Sequence, residues 1–176
     1  AVGSIIDGTD PFACVDMACP VCNDSYYYGA FNDSIIYVTS QTAGQRFNVN
    51  SFDASFIGAD PNLGSYPLYA GMLRIQGWLA NGQSTYINFL LDGPYSDGFN
   101  FGHYIAPSAF SSLDFVQIAI FGLACNNAGT CSPFTTNQGQ FGIDDIELTA
   151  VPEPASALLF GLGLAGLVAG ARRRKA

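Results

Sequence analysis

Short runs of strand-forming residues, separated by turn signals, dominate the first 150 positions of this 176-residue sequence. The runs are rich in Ile, Val, Phe and Tyr, and several alternate apolar with polar residues as half-buried strands do. Asn81-Gly82 lies between two of them and is a strong signal for a β-hairpin. No stretch before position 151 has the periodicity of a long amphipathic helix. The predicted strands are 34–40, 46–56, 71–80, 85–91, 113–122 and 140–149.

Strands at this spacing, with no helices between them, indicate an all-β fold. We expect an antiparallel β-sandwich of jelly-roll type. The sequence divides into a cysteine-containing N-terminal segment at 1–24, the sandwich domain at 25–150 and a tail at 151–176.

Aromatic residues make up 14% of the chain and include the consecutive run Tyr26-Tyr27-Tyr28. We expect Tyr27, Trp78 and most of the phenylalanines to fill the sandwich core. Consecutive side chains on a strand point to opposite faces, so at least one of the three tyrosines should be exposed. The alternative to a role in the core is that exposed Tyr and Trp side chains stack on sugars or contact other proteins.

Charge is distributed unevenly along the chain. Six basic residues stand against 14 acidic ones, and four of the basic residues lie at 172–175. The body before position 172 contains only Arg46 and Arg74 as basic residues, so 2 positive and 14 negative side chains give it a formal charge of −12. A body this acidic repels phosphate backbones, and we expect no nucleic-acid partner. Its charge suits cation binding or solubility outside a cell.

The C-terminal tail combines three features in a fixed order. Val151-Pro152-Glu153-Pro154 comes first, an uncharged apolar run at 155–171 follows, and Arg172-Arg173-Arg174-Lys175 comes last. At about 1.5 Å per residue a helix over this run reaches roughly 25 Å, close to the ~30 Å apolar core of a bilayer. We expect a single C-terminal transmembrane helix whose basic end stays on the cytoplasmic side. The alternative is a hydrophobic helix packed on the domain.

This order of motif, apolar helix and Arg-rich end resembles the PEP-CTERM sorting signal of Gram-negative bacteria that make exopolysaccharide. The resemblance implies that an exosortase, a membrane-embedded cysteine protease or transpeptidase, recognises Pro152, Glu153, Pro154 and the arginine cluster. It also implies an inner-membrane intermediate, cleavage near the Pro-Glu-Pro motif, and a final location at the cell surface or in the biofilm matrix. Gln140-Phe-Gly-Ile-Asp144 is similar to the QFxxD-type pattern of one such family.

The five cysteines form an early group, Cys14, Cys19 and Cys22, and a late pair, Cys125 and Cys131. An exported protein meets an oxidising compartment, so we expect a disulfide between the late two. One pair is also expected within the early group, with one cysteine left over. Zinc is the alternative, because Cys19-x-x-Cys22 supplies half of a site, but the late pair is spaced too widely for a good second half.

The last predicted strand changes phase between two adjacent aspartates. Phe141 and Ile143 share one parity and the apolar residues after Asp145 share the other, so a β-bulge at Asp144–Asp145 keeps both sets inside. Two carboxylates in an apolar strand predict a structural Ca²⁺ site, with Asp7 as a third candidate ligand. Asp-Asp-Ile is also similar to the endings of carbohydrate-binding jelly rolls, where such an Asp often ligates calcium. The alternative is that both aspartates face solvent and discourage edge pairing.

No arrangement of residues indicates catalysis, and we expect a protein that is not an enzyme. His103 is the only histidine, and Asp92 with Asp97 flanks a Gly-Pro turn that the carboxylates would shape. We expect a module that binds glycan or matrix, with extracellular polysaccharide as its partner. The alternative is a self-assembling structural subunit of a surface layer or an extracellular filament, with which the low charge and edge strands are compatible.

Overall fold

The computed structural model describes residues 2–10, 13, 17–60, 62 and 65–152. Ten strands and one helical turn lie within them. In chain order they are β1 Val2–Asp7, β2 Tyr26–Phe31, β3 Ile35–Thr39, β4 Arg46–Phe56, β5 Tyr69–Leu79, β6 Ser84–Asp92, β7 Gly102–Ile105, α1 Ser108–Ser111, β8 Phe115–Cys125, β9 Cys131–Ser132 and β10 Phe141–Val151.

The strands form two antiparallel layers that pack face to face. The first layer has the order β1-β2-β10-β4-β7. The second has the order β3-β8-β5-β6, with the short β9 beside the end of β8. One paired position, Phe47 opposite Phe115, joins the two layers along one side. The prediction of an all-β antiparallel sandwich is confirmed, while the jelly-roll type stays a prediction.

The six strands predicted from the sequence are all present, as β3, β4, β5, β6, β8 and β10. The Asn81-Gly82 turn between β5 and β6 is also present, with Gly82 at φ +82°. The sequence pattern does not predict β1, β2, β7 or β9. None of these segments shows a clear alternation of apolar and polar residues, and their pairing partners define them as strands.

The main core lies between the two layers. It is filled by alternate residues of the paired strands, since neighbouring side chains on a strand point to opposite faces. Its fully buried members include Val49, Phe52, Leu73, Ile75, Phe115, Ile118, Ile120 and Phe141.

Two aromatic residues expected in this core lie elsewhere. Trp78 packs on the outer side of the second layer, against Ala119 and Phe121. It is three positions from the inward-facing Ile75, and an odd spacing turns a side chain to the opposite face. Tyr27 is buried in a separate cluster with Ile6 and Ile57. For Trp78 and Tyr27 the expectation of a place in the main core is therefore wrong.

The N-terminal segment is part of the sandwich. β1 pairs with β2 along its whole length and so forms one edge of the first layer. Met17 and Cys19, from the loop that follows β1, pack against the Tyr27 cluster. This loop therefore covers part of the outer side of the first layer, and a boundary at position 24 does not separate two folding units.

The late cysteines form the disulfide that the sequence predicts, between Cys125 at the end of β8 and Cys131 in β9. In the early group Cys19 is disulfide-bonded and Cys22 is an exposed free thiol. Cys14 lies outside the described residues. Because zinc binds thiolates, the bonded Cys19 excludes the zinc alternative at Cys19-x-x-Cys22.

The sorting motif begins directly after a strand of the sandwich. β10 continues to Val151, and Pro152 after it is exposed. Within the described ranges no helix is long and apolar enough to span a membrane. The expected transmembrane helix lies outside those ranges, as do Glu153, Pro154, Arg172, Arg173 and Arg174.

Candidate functional site

β10 contains the bulge predicted from its change of phase. Its register against β4 shifts between Asp144 and Glu147, and Asp145 has a φ of +47°. The shift lets Ile143 before the bulge and Ile146 after it both pack into the main core. The bulge prediction is confirmed, and it places Asp144 and Asp145 at a kink in the first layer.

The loop before β2 holds Asp144 in place. The Oδ2 atom of Asp144 accepts hydrogen bonds from Nδ2 of Asn23 and from Oγ of Ser25, each at 2.9 Å. The Oδ1 atom of Asn23 accepts from the backbone N–H of Ser25 at 2.8 Å. That backbone donor fixes the orientation of the Asn23 amide, so its NH₂ group points at Asp144. This oxygen of Asp144 therefore faces two hydrogen-bond donors.

Calcium at Asp144 and Asp145 stays a prediction. Asp7, the third candidate ligand, accepts hydrogen bonds from the hydroxyl of Thr9 at 2.6 Å and from its backbone N–H at 3.0 Å. These bonds hold the pKa of the Asp7 carboxyl below its usual range. In the part of the chain that the structure describes, no three His, Cys, Asp or Glu side chains are grouped to hold a metal ion.

A hydrogen-bonded His–Asp pair that the sequence does not predict lies on the outer side of the first layer. The Nδ1 atom of His103 is 2.6 Å from Oδ1 of Asp53, because β7 pairs with β4 at these positions. Asp144 lies opposite Asp53 on the other neighbouring strand. The two members of the pair are 50 positions apart in sequence, so only the strand pairing reveals them. With Glu147 nearby on β10, this side of the first layer is acidic.

A cleft of about 780 Å³ lies at one end of the sandwich, between the β1–β2, β4–β5 and β6–β7 loops. Four carboxylates line it, those of Asp10, Asp24, Asp60 and Asp97, and its described lining includes no Lys, Arg or His. A lining of this kind attracts cations and repels anions.

The outer side of the second layer presents a row of residues across all four of its main strands. On β3 and β8, Tyr37 lies opposite Ala119. Ala119 lies opposite Gln76 on β5, and Gln76 lies opposite Tyr86 on β6. Tyr37 is 59% exposed and Tyr86 is 58% exposed. Three strand spacings of ~4.8 Å place these two tyrosines about 14 Å apart.

The rows on either side add polar and aromatic groups. On one side Gln117 lies opposite Trp78. On the other side Arg74 lies opposite Asn88, and the Nε of Arg74 donates to Oδ1 of Asn88 at 2.8 Å. The Cζ of Arg74 is 4.2 Å from the centre of the Tyr86 ring, a cation–π contact that holds the ring and the guanidinium together.

We call these three rows the tyrosine face: Ile35–Phe121–Arg74–Asn88, Tyr37–Ala119–Gln76–Tyr86 and Thr39–Gln117–Trp78–Ser84. Aromatic rings on this face can stack on apolar ring surfaces, and its amide side chains both donate and accept hydrogen bonds. The sequence directs attention to the Tyr26–Tyr28 run for this chemistry. Of Tyr37 and Tyr86, the sequence gives a local signal for Tyr86. It lies between Thr85 and Ile87, whose side chains point to the opposite side of the strand.

Residues 150–175 match the family model of the PEP-CTERM protein-sorting motif. The chain carries a PEP-CTERM sorting signal. This signal indicates that the protein is exported and recognised by an exosortase. The match begins at the last residues of β10, so the signal follows the sandwich without an intervening linker. The finer QFxxD-type assignment stays an expectation.

No curated protein matches the sequence. Among solved structures, the chain is similar to TmCBM61 in complex with beta-1,4-galactotriose, with 10% identity, a TM-score of 0.39, and coverage of 85% of this chain and 82% of that one. It is also similar to the enzymatically active domain of Bacteriophage CBA120 tailspike protein 4, with 12% identity, a TM-score of 0.35, and coverage of 77% of this chain and 17% of that one. At these values neither similarity bears on the function of this protein.

Proposed function

We propose that the PEP-CTERM protein is a non-enzymatic module of the cell surface or extracellular matrix that binds a glycan chain on the tyrosine face. The observation that carries the proposal is the row in which Tyr37 and Tyr86 remain 59% and 58% exposed at opposite ends of a four-stranded layer. Large aromatic side chains exposed together on one surface are typical of interaction sites.

The scaffold of this face suits binding at a low entropic cost. Tyr37 lies on β3 and Tyr86 on β6, so both rings project from paired strands. The contact between Arg74 and Tyr86 further restricts the second ring before any ligand arrives. Because a pre-organised side chain loses little rotamer freedom on binding, more of the contact free energy appears as affinity.

A glycan is the ligand class that the polar groups favour. Gln76, Gln117 and Asn88 carry amide groups, and sugar hydroxyls need donors and acceptors side by side. The aromatic rings supply apolar surface for the faces of the sugar rings. About 14 Å between Tyr37 and Tyr86 suits an extended chain that crosses the strands. The sorting tail begins at Val151, which belongs to the first layer, so the tail does not start from the tyrosine face.

Affinity electrophoresis tests this proposal on the mature protein, using polysaccharide from the producing bacterium and a panel of defined glycans. We expect retardation of the unaltered protein and about five- to tenfold weaker binding for Tyr37→Ala and for Tyr86→Ala, since a stacked ring contributes roughly 1 kcal/mol beyond the area it buries. Tyr26→Ala is the matched control, because Tyr26 is 65% exposed but lies on the first layer. The absence of retardation by any glycan, or an equal loss in the control, would contradict the proposal.

The exported protein is proposed to pass through an inner-membrane intermediate that the exosortase cleaves near Pro152–Pro154. Intact mass of the protein recovered from its producer measures this step. A mass without the residues after 152–154 supports processing. A mass that retains Arg172–Ala176 would mean that the tail is a permanent anchor or assembly helix.

A structural subunit of a surface layer or filament is the second candidate, and one edge strand favours it. β6 is the outermost strand of the second layer, and its nine residues have β5 on one side only among the described strands. β6 contains no Lys, Arg or Pro, the residues that commonly protect an edge from pairing with another chain. Electron microscopy of the purified mature protein decides this candidate, because strictly monomeric particles would exclude it.

A further inference from the structure

The tyrosine face differs in charge from the rest of the body. Its three rows contain one charged residue, Arg74, and no carboxylate. The first layer instead presents Asp53, Asp144 and Glu147 on its outer side. The body has a formal charge of −12. Arg74 nevertheless has no acidic neighbour in its rows, and it is the pairing of the strands that places it there.

The nearest carboxylate on the outer side of β6 lies at the end of that strand. Asp92 is four residues beyond Asn88, which is about 13 Å at ~3.3 Å per residue. The Oδ2 atom of Asp92 accepts a hydrogen bond from the hydroxyl of Tyr95 at 2.8 Å. Arg74 forms no ion pair with the described residues, in which the contact between a basic side chain and a carboxylate joins His103 and Asp53.

The guanidinium of Arg74 has capacity for a ligand. It carries five N–H donors, and its Nε–H is bound to Asn88. The Cζ of Arg74 lies over the Tyr86 ring, 4.2 Å from its centre, so the guanidinium covers one face of the ring. A sugar that stacks on the opposite face would have substituents that can reach past the ring edge to the terminal N–H groups, which match the geometry of a carboxylate.

We propose that the glycan bound by the tyrosine face is an acidic polysaccharide whose uronate carboxylates pair with Arg74. This inference rests on the proposed glycan-binding function and adds the chemical class of the ligand. Tyr37 and Tyr86 supply stacking that does not depend on charge, whereas Arg74 distinguishes a carboxylate from a neutral substituent. The acidic first layer repels the same polymer, so charge favours binding on the second layer over the first.

The test compares each acidic polymer with its own carboxyl-reduced form. Alginate and polygalacturonate are the probes, and the mature protein is titrated with each pair at about 0.15 M salt, where a screening length of about 8 Å suppresses repulsion by the distant carboxylates of the body more than a direct contact with Arg74. We expect three- to fivefold tighter binding of the acidic form, on the order of one exposed ion pair. The preference should disappear near 1 M salt, where the screening length falls to about 3 Å. Equal or tighter binding of the reduced forms overturns the inference.

Arg74→Gln should abolish the preference for the acidic forms, and Arg74→Lys should keep part of it. Arg46→Gln is the matched control, since it changes the net charge equally but lies at the start of β4 in the first layer. Tyr37→Ala should weaken the acidic and reduced forms alike. A preference that survives Arg74→Gln, or that is lost in Arg46→Gln, contradicts the role of Arg74. If neither form of either polymer binds, or if Tyr37→Ala has no effect, glycan binding on this face fails as well.

Discussion

Asp144→Ala removes the acceptor that ties the loop before β2 to β10. Two hydrogen bonds are lost, from Nδ2 of Asn23 and from Oγ of Ser25, each 2.9 Å long. A hydrogen bond to a charged group contributes about 1.5–3 kcal/mol net. Ser25 is exposed and regains a partner in water, so most of the cost comes from the part-buried bond to Asn23. Removal of Asp144 also relieves repulsion by Asp53 opposite it. We expect a loss of about 1–2 kcal/mol in the free energy of unfolding.

Urea unfolding at pH 7, followed by the fluorescence of Trp78 with the disulfides intact, measures this loss. Asp145→Asn is the matched control, because Asp145 is adjacent and exposed, and substitution there should change stability by less than about 0.5 kcal/mol. The loss at Asp144 should be the same with calcium and with chelator, since hydrogen bonds need no metal. A loss below about 0.3 kcal/mol refutes the hydrogen-bond argument. A loss that appears only in calcium would show that the two aspartates hold the ion.

Three further predictions concern stability. Burial raises the pKa of Tyr27 to about 12, against ~10 when unfolded, so the unfolded state releases its proton first and this residue should lower stability by about 1–2 kcal/mol between pH 10 and 12; Tyr27→Phe should reduce the fall in urea titrations at each pH, and an unchanged slope would contradict it. Gly77→Ala should cost about 1–3 kcal/mol in urea unfolding, because the new Cβ meets the buried ring of Phe115; a neutral effect would mean that the ring moves freely. Loss of the Cys125–Cys131 disulfide, which closes a loop with a sequence separation of 6, should cost roughly 2 kcal/mol on chain-entropy grounds; equal melting temperatures for the double Ser variant and the unaltered protein would refute this.

Local patterns in the sequence predict a large part of the fold. The alternation of 46–56 identifies β4 with both of its ends, and Asn81-Gly82 identifies the β5–β6 hairpin. The change of phase at Asp144–Asp145 identifies the bulge. These signals are local because side-chain direction alternates with each residue and turns need particular residues. The same patterns do not identify β1, β2 and β7, which long-range pairing defines, or the two-residue β9 beside the end of β8.

The candidate site is less accessible from the sequence. Trp78 and Tyr27 are recognisable as large aromatic residues, but which side of a layer they occupy depends on the parity of each strand relative to the core. His103 and Asp53 meet only because β7 pairs with β4. The Asp144 carboxylate is predictable as a feature of the bulge, whereas its bonds to Asn23 and Ser25 come from a loop more than 100 positions away.

The sequence by itself determined the β class of the body, the late disulfide and the sorting tail, since each depends on residues that are close together in the chain. Only the tertiary structure decided where the chain presents a surface for binding. Tyr37 and Tyr86 are separated by Ala119 and Gln76 in one row because three strand pairings have a particular register. A shift of one residue in any of these pairings would turn a strand's side chains to the other face and remove the row. Register is set by the packing of both layers around the core, so the tyrosine face, and Arg74 within it, is a property of the folded sandwich.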